Sequence, residues 1–161
     1  MEKLQAAPMD TGIDENDRRR IAEALSRALA DTYALYLKTQ NYHWNVTGKD
    51  FFALHKAFEA QYEELAAATD DVAERIRALG YPVTATLSDF KRLTSIREDG
   101  PTTDAPDMVR GLIEGHQVAM QTLHAACKLA EPAEDQATLD LLGSRLRAHE
   151  KTTWMLRSML A

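Results

Sequence analysis

One stretch, Phe51 to Leu79, has the periodicity of a single long helix, and its polar side chains limit how the chain can assemble. Asp50 stands at the N-cap position and Gly80 at C′. At about 100° per residue, Phe58, Tyr62, Leu65, Thr69, Val72, Ile76 and Leu79 form one nearly apolar stripe, the seam of a helix bundle. His55, Glu59, Asp70 and Glu74 fall outside the seam, together in a neighbouring sector roughly 100° wide. With His43 just ahead of this helix, the region holds five side chains able to bind a metal.

Axial distance decides what those ligands can do. Glu59 and Asp70 are separated by a rise of about 16 Å at ~1.5 Å per residue, whereas metal–nitrogen and metal–oxygen bonds are about 2 Å long. One helix therefore cannot close all its ligands around one metal. The half-sites His55/Glu59 and Asp70/Glu74 lie either side of a midpoint near Glu64 and Leu65. A second copy packed antiparallel on a two-fold axis there brings each half-site to the opposite half of its mate, giving two equivalent sites per dimer. Ala66 and Ala67, on or near the same sector, allow close backbone approach. The chain also lacks the Glu-x-x-His motif with which most di-iron bundles build a site inside one chain, which counts against a di-iron oxygenase. The plainer reading is a set of surface or interface polar residues. Mixed imidazole and carboxylate ligands, if they do bind, suit iron or zinc rather than a thiolate-selecting metal.

The same residues carry a resemblance. His43-Trp44-Asn45-Val46, Gly48, Phe52, His55 and Phe58, followed by Asp70, Ala73-Glu74-Arg75 and Leu79-Gly80, resemble the signature of the Dps family, the dodecameric mini-ferritins also called DNA-binding proteins from starved cells. Similarity runs from about Asp17 to Trp154. The resemblance implies an all-α, ferritin-like four-helix bundle. It also implies a ferroxidase centre in which His43, His55 and Glu59 of one chain meet Asp70 and Glu74 of its two-fold mate. Many members carry Asp at the position of Glu59. The resemblance further implies a homododecamer that oxidises Fe(II), with hydrogen peroxide ahead of dioxygen, and stores Fe(III) in a hollow shell against oxidative stress. It places an iron-entry pore around the start of the last helix, near Glu131, Glu134, Asp135 and Asp140. Asp135 and Asp140 are its best candidates, although carboxylates at a helix start also arise for capping.

Taken in order, residues 1–13 lack periodicity and read as a flexible arm, with residues 14–161 as one domain. Asp14 is positioned to cap a first helix, with Asp17 at the capping-box position. Ile21, Leu25, Leu29, Leu35 and Tyr36 carry a seam to about Val46. Gly80-Tyr81-Pro82 stops the second helix. The connection to Thr103 is too long for a plain loop, and Ser88 to Thr94 reads as a short helix capped by Ser88. Asp104 and Pro106 open a third bundle helix to about Ala130, where Gly111 and Gly115 mark close packing or strain. The fourth runs from about Asp135 to Leu160.

Other residues have plainer expectations. Trp44 reads as a core aromatic at a helix end at least as readily as a redox partner, and Trp154 as packing near a subunit contact. Arg75 and Asp71 are candidates for an ion pair beside the ligands or between subunits. His116, His124 and His149 read as ordinary surface or interface histidines.

Charge bears on partners. The net charge of −6 over 161 residues and a pI near 5.4 disfavour general attraction to nucleic acid or an anionic membrane. Residues 1–17 hold one cation, Lys3, and Arg18, Arg19 and Arg20 sit on the first helix rather than on a free tail, so direct DNA binding is disfavoured. A nucleoid-binding protective protein with incidental iron oxidation is the alternative reading. One cysteine, Cys127, and a polar start without signal-peptide character suit the cytoplasm, with nucleoid association as the family variant.

Overall fold

The structure, a computed structural model, describes residues 9–100 and 104–161. Most of the expected arm, residues 1–8, lies outside the described residues, and residues 9–14 are non-helical. The described chain forms α1 (Glu15–Asn45), α2 (Phe51–Ala78), α3 (Leu87–Leu93), α4 (Ala105–Ala130) and α5 (Gln136–Ser158), with no strand among the described residues. Helices α1, α2, α4 and α5 are the bundle, and α3 is the short helix in the crossover. This is the all-α, ferritin-like architecture.

Local chemistry sets most of the boundaries. The Asp14 carboxylate accepts from the Asn16 N–H at 2.8 Å, satisfying one of the donors that a helix start leaves open. Asp17 pairs with Arg20 at 3.7 Å. At the far end of α2, Gly80 takes φ +94°, and the Tyr81 N–H reaches back to the Ile76 carbonyl at 3.3 Å, the bond of a Schellman cap. Two caps differ from expectation. Asp50 occupies the N-cap of α2, but its side chain makes no capping bond. Thr86, not Ser88, caps α3, its hydroxyl accepting from the Asp89 N–H at 3.2 Å; either hydroxyl has the chemistry, and the cap falls earlier in the chain than expected.

Burial follows the stripe. Phe58, Leu65, Val72, Ile76 and Leu79 of α2 are buried with Ile21, Leu25, Leu29, Leu35 and Tyr42 of α1. Gly115 explains how closely α4 approaches α1: a Cβ there would lie 2.7 Å from Leu35 Cδ1. A buried carboxylate fastens the crossover. Asp31 accepts from Thr94 Oγ1 at 2.8 Å, the Ser95 N–H at 2.6 Å and Thr122 Oγ1 at 2.6 Å, tying α1 to the end of α3 and to α4. Its burial is tolerated because the charge is met by donors. Replacing Asp31 by Ala leaves these donors without an acceptor. We expect a loss of about 2–4 kcal/mol in chemical denaturation, against no more than ~0.5 kcal/mol for an exposed residue such as Glu23.

Candidate metal centre

His43 lies in the last turn of α1 and His55 just inside α2, joined by a tight turn in which Gly48 takes φ +108°. The hairpin stacks the two rings with centroids 3.8 Å apart and planes 20° apart. Their hydrogen bonds are reciprocal. His43 Nδ1 lies 2.8 Å from the His55 carbonyl, and His55 Nδ1 lies 2.8 Å from the His43 carbonyl. A carbonyl only accepts, so each Nδ1 carries a proton and, in the neutral ring, each Nε2 keeps its lone pair. Fixing one ring nitrogen on a backbone oxygen while the other stays basic is the usual arrangement of a metal-binding histidine.

Neighbouring rings hold the pair in place. Tyr62 of α2 meets His43 edge-on at 5.1 Å, and Phe51 stacks on His55 at 5.1 Å. The Phe51–His55 spacing of one helical turn was readable in the sequence, whereas Tyr62 was hidden as an ordinary seam residue. Glu59, one turn beyond His55, is engaged by Lys56, with Nζ to Oε2 at 2.6 Å. That hydrogen bond holds the Glu59 carboxyl below its usual range. The pair is largely exposed and exchangeable.

Asp70 and Glu74 are exposed, farther along α2. Among the described residues of one chain, no group of three or more His, Cys, Asp or Glu side chains converges to hold a metal. The structure therefore brings His43 and His55 together and leaves Asp70 and Glu74 at the other end of the helix. Glu63, Ala66 and Ala67 are exposed on α2 between the two halves.

Several expectations are corrected. Arg75 does not pair with Asp71; its Nη2 lies 2.7 Å from Asp135 Oδ1 and its Nε 2.8 Å from Thr138 Oγ1. Asp135, 2% exposed, also accepts from the Thr138 N–H at 3.0 Å and hydroxyl at 2.5 Å. It is a buried N-cap of α5 with both oxygens engaged, so it offers no free carboxylate to a pore, and exposed Asp140 remains. Trp44 is 63% exposed rather than core. His124 is exposed, as expected of a surface histidine, and Trp154 is exposed as well, as a subunit contact requires. His116 and His149 are not surface residues but a buried pair, and burial first, then nearby charge, pushes His116 down to about 3 and His149 to about 2. Arg18 is buried, its Nη1 donating to the Leu79 carbonyl at 2.8 Å, which reduces the arginine cluster to Arg19 and Arg20.

These placements separate two aspartates in a stability measurement. Asp135→Ala removes a cap and strands Arg75, and is expected to cost about 2–3 kcal/mol. Asp140→Ala is expected to stay within ~0.5 kcal/mol. Equal effects in thermal or urea unfolding contradict the assignment.

Comparison with known proteins bears on the fold and the family. The Ferritin-like domain family matches residues 22–161. The DNA protection during starvation protein 2 of Bacillus anthracis is 34% identical over 142 residues, covering 88% of this chain and 97% of that relative. The Dps protein of Vibrio cholerae O1, described as a member of a broad superfamily of ferritin-like diiron-carboxylate proteins, superposes with a TM-score of 0.91 at 30% identity, covering 98% of this chain and 99% of that one. DpsC of Streptomyces coelicolor gives a TM-score of 0.94 at 26% identity, covering 100% of this chain and 95% of that one. No helix among the described residues is long and apolar enough to cross a membrane. By fold, histidine hairpin and sequence, the chain belongs to the Dps family of ferritin-like proteins.

Proposed function

We propose that this chain is the subunit of an iron-storing ferroxidase, a homododecameric mini-ferritin whose substrate is Fe(II). In this reading His43, His55 and Glu59 of one protomer complete a site with Asp70 and Glu74 of the partner subunit. The observation that carries it is the reciprocal bonding of His43 and His55, which anchors each Nδ1 on the backbone and leaves each Nε2 for a metal at one end of the ligand sector. Neutral imidazoles and ionised carboxylates together suit Fe(II) and compensate Fe(III), which gains a positive charge on oxidation.

The chemistry balances simply. Two Fe(II) ions give one electron each to hydrogen peroxide, which with two protons leaves as two waters. The Fe(III) product then moves to the interior of the shell as mineral. Dioxygen is the slower alternative oxidant in this scheme. Glu59 enters it by exchanging Lys56 for iron, a small cost for an exposed pair. Exposed Trp44, Leu37 and Leu87 are apolar surface suited to a second subunit. Iron entry past Asp140 and a cytoplasmic setting belong to the same reading.

The names of several relatives refer to DNA protection, but the charge distribution here favours no direct role on DNA. With Arg18 buried and Arg20 paired to Asp17, the exposed cations of the α1 start are few. At physiological salt we expect no retention of duplex DNA in a gel shift.

Stopped-flow oxidation after anaerobic Fe(II) loading tests the ferroxidase. Adding peroxide to the wild-type assembly should give rapid Fe(III) absorbance, and His43→Ala/His55→Ala should slow it by at least about 10–100-fold. Unchanged kinetics in that variant, with the assembly intact, sink the proposal.

A further inference from the structure

His116 of α4 and His149 of α5 lie inside the bundle, 2% and 1% exposed, with their Nδ1 atoms 2.8 Å apart. The rings meet edge-on, centroids 5.1 Å apart and planes at 61°. One proton must lie between the two Nδ1 atoms, so one ring donates and the other accepts. In the neutral pair the donor ring then keeps a lone pair on Nε2 and the acceptor ring carries its N–H there. Neither Nε2 has a hydrogen-bond partner among the described residues.

The surroundings cannot absorb further charge. Arg145, one turn before His149 and 6% exposed, is the cation beside the pair. Its guanidinium is held bidentately by Glu64 of α2. From α1 the same level of α4 is met by apolar Leu35. No third His, Cys, Asp or Glu joins the imidazoles, and a divalent cation here would be buried next to Arg145.

We propose that the His116–His149 pair is an acid-labile joint between α4 and α5, holding the two helices together while both rings are neutral and releasing them on proton uptake. A proton on the lone-pair Nε2 creates a buried imidazolium with an unpartnered N–H beside Arg145. A proton on the accepting Nδ1 instead sets two N–H groups against each other where a hydrogen bond stood. Either outcome is relieved by opening the helices to water.

The direction of the pH dependence follows. Both folded-state values lie far below the 6.5 of an unfolded histidine, chiefly through burial. Between these values the unfolded chain binds more protons than the folded one. The pair's contribution to stability is therefore complete above pH 6.5 and is lost progressively as pH falls below it.

Histidine Cε1 hydrogen–deuterium exchange on the full-length assembly reads each ring, with exposed His124 as the solvent-accessible reference. His116 and His149 should exchange slowly and show no titration midpoint between pH 5 and 8 while the protein stays folded; midpoints near 6.5 overturn the proposal. Backbone exchange, corrected for its intrinsic pH dependence, should show α4 and α5 losing protection before α1 and α2 between pH 6.5 and 5. A uniform loss overturns it as well. At fixed protein concentration the wild type should lose up to ~100-fold in its folding constant per pH unit from this pair, the effect of two protons. The non-titrating variant His116→Phe/His149→Leu should lack that loss, and an equal loss in the variant overturns the joint. If that variant does not fold, the ring exchange and the order of backbone protection loss in the wild type decide together. No arm depends on iron, so a failed ferroxidase reading leaves this inference standing.

Discussion

The slow advance of a helix along its axis, about 1.5 Å per residue, governs where this protein can hold a metal. It puts His55 and Glu59 near one end of α2 and Asp70 and Glu74 well beyond bonding range of them. A bundle in which one chain enclosed its own metal would need ligands at one level on several helices. Here the candidate ligands lie at two levels on the outward sector of one helix, and in the proposed function another copy completes each site. The isologous contact of that proposal gives the small, exposed residues in the middle of the sector, Ala66 and Ala67, a role in close backbone approach.

The remainder of the fold serves to make α2 and the end of α1 rigid. The reciprocal histidine bonds join the two helices across their turn, and the rings of Tyr62 and Phe51 limit how the imidazoles can rotate. At the opposite end, Arg75 leaves the ligand sector to bind Asp135 and Thr138, fixing the start of α5 against α2. Asp31 ties the crossover to α1 and α4. Buried polar groups that are well met by partners mark the structural joints, whereas at the His116–His149 pair the outer nitrogen of each ring is unmet among the described residues.

Helix boundaries, and the separation of His55/Glu59 from Asp70/Glu74 along α2, could be read from the sequence because they depend on local spacing. The apolar stripe of α2, the cap at Asp14 and the stop at Gly80 each involve residues within a few turns. What escaped depends on contacts across the bundle. Arg75 meets Asp135 only after α5 packs on α2, so nothing local distinguishes a capping aspartate from a pore aspartate. Trp44 looks like core by composition, yet its position at the end of α1 turns it outward. His116 and His149 did leave a signal: His149 falls seven residues after Leu142 and seven before Leu156 on the buried stripe of α5, and His116 follows buried Leu112 and Gly115 on α4. Treating histidine as a surface residue hid that pattern.

The central claim is that two subunits share each metal site, and complementation between damaged subunits tests it directly. One variant loses His43, His55 and Glu59; a second loses Asp70 and Glu74; each assembled alone should be inactive. Co-assembled from an equal mixture, they should regain about a quarter of wild-type Fe(II) oxidation, because half the dimers are mixed and each mixed dimer rebuilds one of its two sites. A mixture as inactive as its parents, with mixed assembly verified by mass, would contradict the shared site, as would full activity in the variant lacking only Asp70 and Glu74.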